Sequence, residues 1–340
     1  MKPSILVTGG TGYIGSHTVV ELQQAGYPVV IIDDLSNSQE SVLDGIEQLS
    51  GIRPTFYAAD LKDEAAVRKV FENHTLAGVI HFAASKAVGE SVQKPLLYYK
   101  NNFLGMVHVL QMMVEYQVPN LLFSSSCTVY GKPDSLPVTE QSPIKPALSP
   151  YGNTKQVGEE IIRDVQFVHP EVQAISLRYF NPIGAHESGL IGENPQGTPN
   201  NLLPYLLQVV TGEREQLSVY GDDYDTPDGT CIRDYIHVVD VAKAHVMAMT
   251  RLLNKAQAEA YEVFNLGTGT GYSVLDIIKT FEQETGQPVN YRIAPRRYGD
   301  IDEIYANTTR ANEVLGWKAQ YGLPEMLKSA WVYQQQYQTT

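Results

Sequence analysis

Cysteine is almost absent from this sequence, and its scarcity excludes several classes of protein. The 340 residues include only Cys127 and Cys231, and neither has the spacing of a metal site. A chain of this length buries enough apolar surface to need no disulfide or metal staple. Two isolated thiols are typical of a reducing compartment. We therefore expect a cytoplasmic protein without a metal site.

Long apolar runs and clusters of basic residues are missing too. No apolar stretch approaches the roughly 18 residues of a membrane-spanning helix, and the apolar run near the start is too short for a secretory signal. The 25 Lys and Arg residues are outnumbered by 38 Asp and Glu, which gives a net charge of −13. The composition argues against nucleic acid and anionic membranes as partners, and an anionic ligand would need local positive groups.

Glycines at positions 9, 12 and 15 stand between an apolar segment and a helical one. Residues 4–8 predict a buried strand, and the helix is expected to run to about residue 25. Such glycines permit a tight turn, close approach of a pyrophosphate and close packing of helix on strand. The helix N-terminus attracts phosphate through its free N–H groups and dipole. This order predicts a dinucleotide site; a glycine-rich loop without a ligand is the alternative.

Asp33 closes the second predicted strand, at about the distance from Gly9 where an acidic residue accepts from the adenosine ribose. Asp34 follows with no basic residue nearby. Because two carboxylates repel a 2′-phosphate, NAD is favoured over NADP. The neighbouring Asn37 and Ser38 keep open the alternative that Asp33 is only a turn residue.

Polar residues also follow the next two predicted strands. Asp60 either accepts from the adenine amine or caps the following helix. His81 lies within an apolar run and is expected to be a core side chain. Lys86, just beyond, either reaches the nicotinamide ribose or is a surface lysine.

Tyr151 and Lys155 are the pair around which the chemistry is expected. Residues four apart on a helix share one face, so the ammonium lies beside the phenol. The tyrosine pKa of ~10 must fall by ~3 for the phenol to act as a base near pH 7. A nearby cation favours phenolate and supplies part of this decrease. Ser126 ends a predicted strand, where its hydroxyl meets the ligand crevice. For Ser124 and Ser125 individually, a serine-rich loop without a role is favoured.

Alternating strands and helices predict an α/β fold with a Rossmann-type doubly wound parallel sheet in residues 1–180. Residues 181–340 predict a smaller, interleaved α/β substrate domain, with segments near 235–265 returning to the first part. The stretch 185–235 is rich in glycine and proline, and we expect a loop-heavy substrate region there.

Arg233 and Arg297 are the expected anchors for a second pyrophosphate, that of a nucleotide-sugar, because arginine binds phosphate bidentately. The alternative is ion pairing with the adjacent Asp234 and Asp300, which spacing alone favours.

Together these motifs resemble the extended short-chain dehydrogenase/reductase family, and more closely its UDP-glucose 4-epimerase branch. The superfamily pattern is Gly9-x-x-Gly12-x-x-Gly15, Ser126 and Tyr151-x-x-x-Lys155. The stretches specific to the branch are residues 12–18, 86–91, 124–131, 178–182, 199–202 and 233–237. The resemblance runs from about residue 4 to about residue 335.

The resemblance implies epimerisation of UDP-galactose and UDP-glucose. Tyr151 takes the proton of the sugar 4-hydroxyl, Ser126 helps to relay it, and Lys155 holds the nicotinamide ribose and lowers the tyrosine pKa. A hydride passes to tightly bound NAD, the 4-keto sugar turns about its pyrophosphate, and the hydride returns to the opposite face. Members of the family are commonly homodimers, with helices near 96–117 and 150–169 as the expected interface.

The resemblance also implies two sets of ligand residues. The NAD site comprises Gly9, Gly12, Tyr13, Ile14, Gly15, Asp33, Asn37, Ser38, Asp60, Leu61, Phe82, Ala83, Lys86, Asn101, Ser124, Tyr151, Lys155 and Phe180. The UDP-sugar site comprises Lys86, Ser126, Tyr151, Tyr179, Asn181, Asn201, Leu202, Ser218, Tyr220, Arg233, Arg297, Asp300 and Ile304.

One position departs from the family pattern. Ile304 stands where bacterial epimerases restricted to glucose and galactose typically have a tyrosine, and the family pattern ties a smaller side chain there to N-acetylated sugars. We expect some activity on UDP-N-acetylglucosamine and UDP-N-acetylgalactosamine; refilling of the space by neighbours is the alternative.

Three other functions are compatible with the same fold. The first is a UDP-N-acetylglucosamine 4-epimerase as the main activity. The second is a nucleotide-sugar 4,6-dehydratase, which usually needs an Asp-Glu pair where this chain has Cys127 and Thr128. The third is a non-catalytic NAD-binding protein, which would not retain Ser126, Tyr151 and Lys155 together.

Overall fold

The computed structural model describes residues 3–297 and 299–339. Its strands are β1 (Ser4–Thr8), β2 (Val29–Asp33), β3 (Thr55–Ala58), β4 (Leu76–His81), β5 (Asn120–Ser126), β6 (Gln173–Tyr179), β7 (Asn181–Ile183), β8 (Leu217–Tyr220), β9 (Ile232–His237), β10 (Tyr261–Leu266), β11 (Gly271–Ser273), β12 (Tyr291–Ala294) and β13 (Glu303–Ile304).

Its helices are α1 (Tyr13–Gln24), α2 (Val42–Ser50), α3 (Glu64–Asn73), α4 (Val88–Gln93), α5 (Pro95–Glu115), α6 (Pro150–Val168), α7 (Leu202–Val210), α8 (Val238–Leu253), α9 (Val274–Thr285) and α10 (Leu323–Thr339), with a 3₁₀ turn at Cys127–Tyr130 and a π-helical turn at Ala311–Leu315.

Seven strands form one parallel sheet in the order β10-β6-β5-β4-β1-β2-β3. Apolar residues fill both faces of its central strands, and the run from Ile5 to Val7 is fully buried, as expected of parallel strands covered by helices. The strand order reverses at β1, which pairs with both β2 and β4. Ligands bind outside the carboxyl ends of strands at such a switch point. The predicted doubly wound α/β fold is confirmed.

Helices cover both faces of this sheet. On one face the core includes Val19 of α1, Ile46 of α2 and Val241 of α8. On the other, it includes Met106 of α5 and Ile162 of α6. None of the helices in the described part of the chain is both long and apolar enough to cross a membrane.

A second core lies beyond the carboxyl edge of the large sheet. Strand β9 is its centre and pairs with β7, β11 and β13. Leu206 of α7, Phe281 of α9 and Met326 of α10 pack together there. Helix α8 and strand β10 lie between these segments in sequence, yet β10 pairs with β6 at the end of the large sheet.

The stretch 185–235 is more regular than the expected loop-heavy region, because it contains helix α7 and strand β8. Pro204 within this segment makes the helix hard to predict from the sequence, because proline usually breaks helices. It lies in the first turn of α7, where a residue without an N–H costs no intrahelical hydrogen bond.

Candidate active site

Helix α6 begins in a way that fixes where Tyr151 lies. Ser149 caps the helix by accepting a hydrogen bond from the Gly152 N–H at 3.1 Å, and Pro150 occupies the first position. Tyr151 is therefore held in the first turn and Lys155 in the second. Both side chains are buried and point toward the end of strand β5.

Tyr151 is only 8% exposed. Burial and the nearby Tyr179 raise the pKa of its phenol above the ordinary value, while a hydrogen bond with Ser126 lowers it. Ser126 Oγ also accepts from the Thr128 N–H at 3.2 Å, which fixes this hydroxyl at the start of the 3₁₀ turn. The protein alone therefore keeps the phenol neutral, and proton removal from a substrate needs added positive charge next to it.

The Lys155 ammonium lies beneath this phenol. Its Nζ donates to the Ser124 carbonyl at 2.7 Å and lies 5.0 Å from the centre of the Phe123 ring and 5.8 Å from that of Tyr151. Burial lowers the pKa of Lys155 to about 7, and Glu159 opposes this shift. Ser124 lies in strand β5, so the interpretation of residues 124–125 as a loop is wrong.

The glycine loop of β1 and α1 lies against the end of β4. Gly9 has φ of +70°, and a Cβ there would lie 2.9 Å from the Ala83 nitrogen. A Cβ on Gly15 would lie 2.1 Å from the Gly9 carbonyl oxygen. Within the described residues no side chain caps α1, which begins after Gly12. The loop thus leaves a helix N-terminus open at the switch point, which suits a pyrophosphate.

Asp33, at the end of β2, organises the far side of this loop. Its carboxylate accepts from the Thr11 N–H at 3.2 Å and the Leu35 N–H at 3.0 Å. The Thr11 and Ser38 hydroxyls are 2.7 Å apart. The turn interpretation of Asp33 and a ligand role are therefore compatible, because a carboxylate has capacity for several donors.

Asp60 does not cap helix α3. Asp63 is the cap and accepts from the Ala65 and Ala66 N–H groups at 3.1 and 3.3 Å. The Asp60 carboxylate instead pairs with the Lys62 ammonium at 2.8 Å. The same ammonium donates to Asn101 Oδ1 at 2.7 Å, so the structure brings Asp60 and Asn101 together.

Glu193 joins two of the predicted ligand residues. Its Oε1 accepts from Lys86 Nζ at 2.9 Å and from Asn201 Nδ2 at 3.0 Å. Asn37 Oδ1 similarly accepts from the Gln196 N–H at 3.2 Å. The segment before α7 therefore lies over the cofactor loops. The sequence gives no signal for Glu193, which is 107 positions from Lys86.

Arg233 and Arg297 converge on one carboxylate. Arg297 Nε lies 2.9 Å from Asp300 Oδ2, and Arg233 Nη2 lies 3.8 Å from Asp300 Oδ1. The Arg297 guanidinium also stacks 4.9 Å from the centre of the Tyr220 ring. Ser218 lies on the same outward side of β8 as Tyr220. Ion pairing with Asp300 is thus present, and it gathers both arginines into one cationic cluster.

Asp234, in contrast, does not pair with Arg233. It is fully buried and accepts from the N–H groups of Thr268, Gly269 and Ala306 at 2.8, 3.0 and 3.1 Å. These bonds pin the segment before the π-helical turn against β9. Ile304 is held there in a small apolar cluster with Cys127 and Phe180.

The remaining predicted residues lie at or near the ends of strands and helices. Tyr179 ends β6, and its hydroxyl is hydrogen-bonded to that of Ser124. His81 is a core side chain as expected, 2.9 Å from the Thr8 hydroxyl, and burial lowers its pKa to about 3. Tyr13 and Ile14 start α1, Leu61 follows β3, Phe82 and Ala83 follow β4, Asn181 begins β7, and Leu202 begins α7.

Comparison with known proteins decides the family. The model of the NAD-dependent epimerase/dehydratase family matches residues 5–267. This chain belongs to that family. The predicted resemblance is therefore confirmed.

Two relatives of this family member are UDP-glucose 4-epimerases. That of Bacillus subtilis is 52% identical over 97% of this chain and 96% of its own length. That of Drosophila melanogaster is 49% identical over 98% of this chain and 97% of its own length. Among solved structures, UDP-glucose 4-epimerase from Bifidobacterium longum in complex with NAD+ and UDP superposes with a TM-score of 0.95, at 47% identity and 98% coverage of both chains.

The residues of this epimerase/dehydratase family member fit the NAD that the family requires. The loop has no room for a Cβ at Gly9 or Gly15, the helix N-terminus is open, and Asp33 ends β2. These features would hold the pyrophosphate and the adenosine ribose. Lys155, beside Tyr151, would hold the nicotinamide ribose at the other end of the crevice.

Proposed function

We propose that this chain is a UDP-glucose 4-epimerase that interconverts UDP-galactose and UDP-glucose and keeps NAD bound through turnover. The observation that supports it is the arrangement of Ser126, Tyr151 and Lys155 at the ends of β5 and α6, next to the glycine loop. We place the enzyme in the cytoplasm, with residues 1–180 as the NAD domain and 181–340 as the UDP-sugar region.

The chain's own residues perform binding and proton transfer. Bound NAD supplies a hydride acceptor and donor and, when oxidised, a positive charge beside the phenol. Tyr151 takes the proton from the sugar 4-hydroxyl, and Ser126 orients that hydroxyl and relays the proton. Lys155 keeps the phenolate accessible by its charge. After the 4-keto sugar turns, Tyr151 returns its proton to the C4 oxygen as C4 regains a hydride on its opposite face, which completes epimerisation.

The cationic cluster binds the part of the substrate that does not react. Arg233 and Arg297 are the donors for the UDP pyrophosphate, which would displace their shared Asp300. Tyr220 and Ser218 flank it on β8. An anchor on the pyrophosphate leaves the sugar free to turn, so either face of C4 can be directed toward the nicotinamide that Lys155 would hold.

Chromatography of UDP-galactose incubated with purified protein and no added NAD tests this function. Conversion to UDP-glucose supports both the epimerase activity and a retained cofactor. A repeat with NAD added separates a lost cofactor from an inactive protein. No conversion of either sugar nucleotide in that repeat contradicts the proposal.

The Ile304 position sets the expected sugar range. Its side chain packs with Cys127 and Phe180 beside Ser126, so it lies near the sugar. We expect turnover of UDP-N-acetylglucosamine within about 100-fold of UDP-galactose turnover, since a changed contact of this size is worth ~1–3 kcal/mol. Ile304→Tyr should abolish turnover of UDP-N-acetylglucosamine and leave turnover of UDP-galactose unchanged. Steady-state rates on both substrates check this, and equal loss on both would contradict it.

The enzyme is proposed to be a homodimer through α5 and α6. These helices pack side by side, and Leu96 and Leu97 of α5 and Phe167 and Val168 of α6 are exposed apolar side chains. Sedimentation equilibrium should give twice the 37.7 kDa mass of one chain. A monomer at micromolar concentration would contradict this assembly.

A further inference from the structure

A buried ion pair lies one helical turn beyond Lys155. Arg178 donates to Glu159 through two bonds, Nε to Oε1 at 2.8 Å and Nη2 to Oε2 at 2.6 Å. Both side chains are only 2% exposed. Burial would raise the pKa of Glu159, but the bonds from Arg178 and Ser125 outweigh it and keep the carboxylate charged. Fully buried pairs seldom improve on apolar packing for stability alone, which invites a functional explanation.

This ion pair is bonded to the strand that bears the catalytic serine. Ser125 Oγ donates to Glu159 Oε1 at 2.7 Å. Its two neighbours contact the catalytic groups, since the Ser124 carbonyl accepts from Lys155 and the Ser126 hydroxyl bonds Tyr151. Glu159 therefore fixes the middle of a three-residue segment whose two ends hold Lys155 and Tyr151.

The guanidinium is fixed on its other side. Arg178 Nη1 donates to the Tyr130 hydroxyl at 3.1 Å, and that hydroxyl donates to Asn265 Oδ1 at 2.6 Å. The chain of bonds thus joins α6, β5, β6, the 3₁₀ turn and β10. Glu159 therefore has a defined position relative to all of these elements.

Glu159 is also the one carboxylate that acts on the Lys155 ammonium among the described residues. The other titratable groups around Lys155 are Tyr151 on α6, His81 on β4, and Tyr179 on β6, which acts on Tyr151. Glu159 itself faces Arg178 on β6 and Arg163 on α6, whose Nη2 lies 3.3 Å from Glu159 Oε2. The two tyrosines and His81 are neutral near pH 7, because burial raises the pKa of the phenols and lowers that of His81. Burial lowers the Lys155 pKa to about 7, and Glu159 offsets part of that shift.

We propose that Glu159, held by Arg178, is a positioning residue that keeps the Lys155 ammonium protonated and aligned under the nicotinamide ribose and Tyr151. This inference rests on the proposed function for its catalytic consequence, but not for its effect on Lys155 itself. Without the carboxylate, burial alone would act on the ammonium and lower its pKa further, so less of it would be protonated near neutral pH.

Glu159→Gln tests this role, with Glu262→Gln as a matched control. Glu262 is 1% exposed and pairs with Arg251 through two bonds at 2.7 and 2.9 Å, but near the amino end of β10, away from the site. We expect both variants to lose stability. Only Glu159→Gln should move the alkaline limb of the kcat–pH profile to lower pH, by about one pH unit or more, because one pKa unit is a tenfold change in the protonated fraction of Lys155. The pH above which NAD is lost on gel filtration should fall by the same amount.

Superimposable pH profiles for Glu159→Gln, Glu262→Gln and wild type would overturn the proposal. If Glu159→Gln does not fold, the double variant Glu159→Gln/Arg178→Met removes both charges of the pair. Its pH profiles are then compared with those of Glu262→Gln and wild type. If wild-type protein epimerises no UDP-sugar, the proposed function fails, yet the pH dependence of NAD retention still tests Glu159.

Discussion

Tyr151→Phe should lower the turnover of UDP-galactose by about 10²- to 10⁴-fold, the usual effect of losing a general acid–base group, and should leave NAD bound. Phenylalanine fills the same space in the first turn of α6, so the cap at Ser149 and the packing against β5 persist. What disappears is the atom that takes the sugar proton and accepts the Ser126 hydrogen bond. Initial rates and the absorbance of NAD released by denaturation measure the two effects separately.

Tyr261→Phe is the matched control for this substitution. Tyr261 is also a tyrosine whose hydroxyl is hydrogen-bonded, 2.7 Å from Ser176, but it lies at the amino end of β10. Tyr261→Phe should be less stable by about 1 kcal/mol, the contribution of one hydrogen bond. It should retain full activity. Undiminished turnover in Tyr151→Phe would refute the role of the phenol, and loss of NAD would show that the change acted through the cofactor site.

The site features that the sequence predicts are those set by local geometry. Tyr151 and Lys155 meet because a helix brings residues four apart onto one face, whatever the rest of the fold does. Gly9 and Gly15 were identifiable because strand, turn and helix follow one another directly. Ser126 required only that parallel strands end at a common edge. In each case a short stretch of sequence contains the whole physical argument.

Features that depend on packing between distant segments were not predictable in this way. The spacing of Arg233 and Asp234 favoured a pair, yet Asp234 turns inward to bind three backbone N–H groups and Arg233 faces Asp300. The sequence leaves Asp60 as a possible cap of the following helix, but α3 begins after Asp63, which caps it instead. Local patterns offer alternatives of this kind, and tertiary contacts choose among them.

Glu159 shows why buried charges are the hardest to predict. On α6 it stands beside Glu160 and four positions before Arg163, which is the pattern of a solvated helix face. Only the sheet brings Arg178 under it, and only then does the carboxylate become buried. The sequence therefore contained the residue but not its environment.

Gly15→Ala is expected to remove NAD from the protein. The added Cβ would lie 2.1 Å from the Gly9 carbonyl oxygen and 2.9 Å from the Gly10 Cα. Both atoms are backbone, so α1 must move away from the turn that holds the pyrophosphate. Overpacking of this kind costs up to ~3 kcal/mol, and a loss of that size in binding lowers NAD affinity about 100-fold. Activity without added NAD should then vanish and return in part at millimolar NAD.

Gly89→Ala separates this steric effect from the general effect of an added methyl group. Gly89 lies in helix α4, where the nearest atom to a new Cβ is Asn200 Oδ1 at 3.9 Å. Alanine also favours a helix by about 1 kcal/mol over glycine, so this variant should retain NAD and full activity. Calorimetric titration of NAD into the cofactor-free proteins gives the comparison. Equal affinity in Gly15→Ala and wild type would mean that the close contact at Gly9 does not shape the cofactor site.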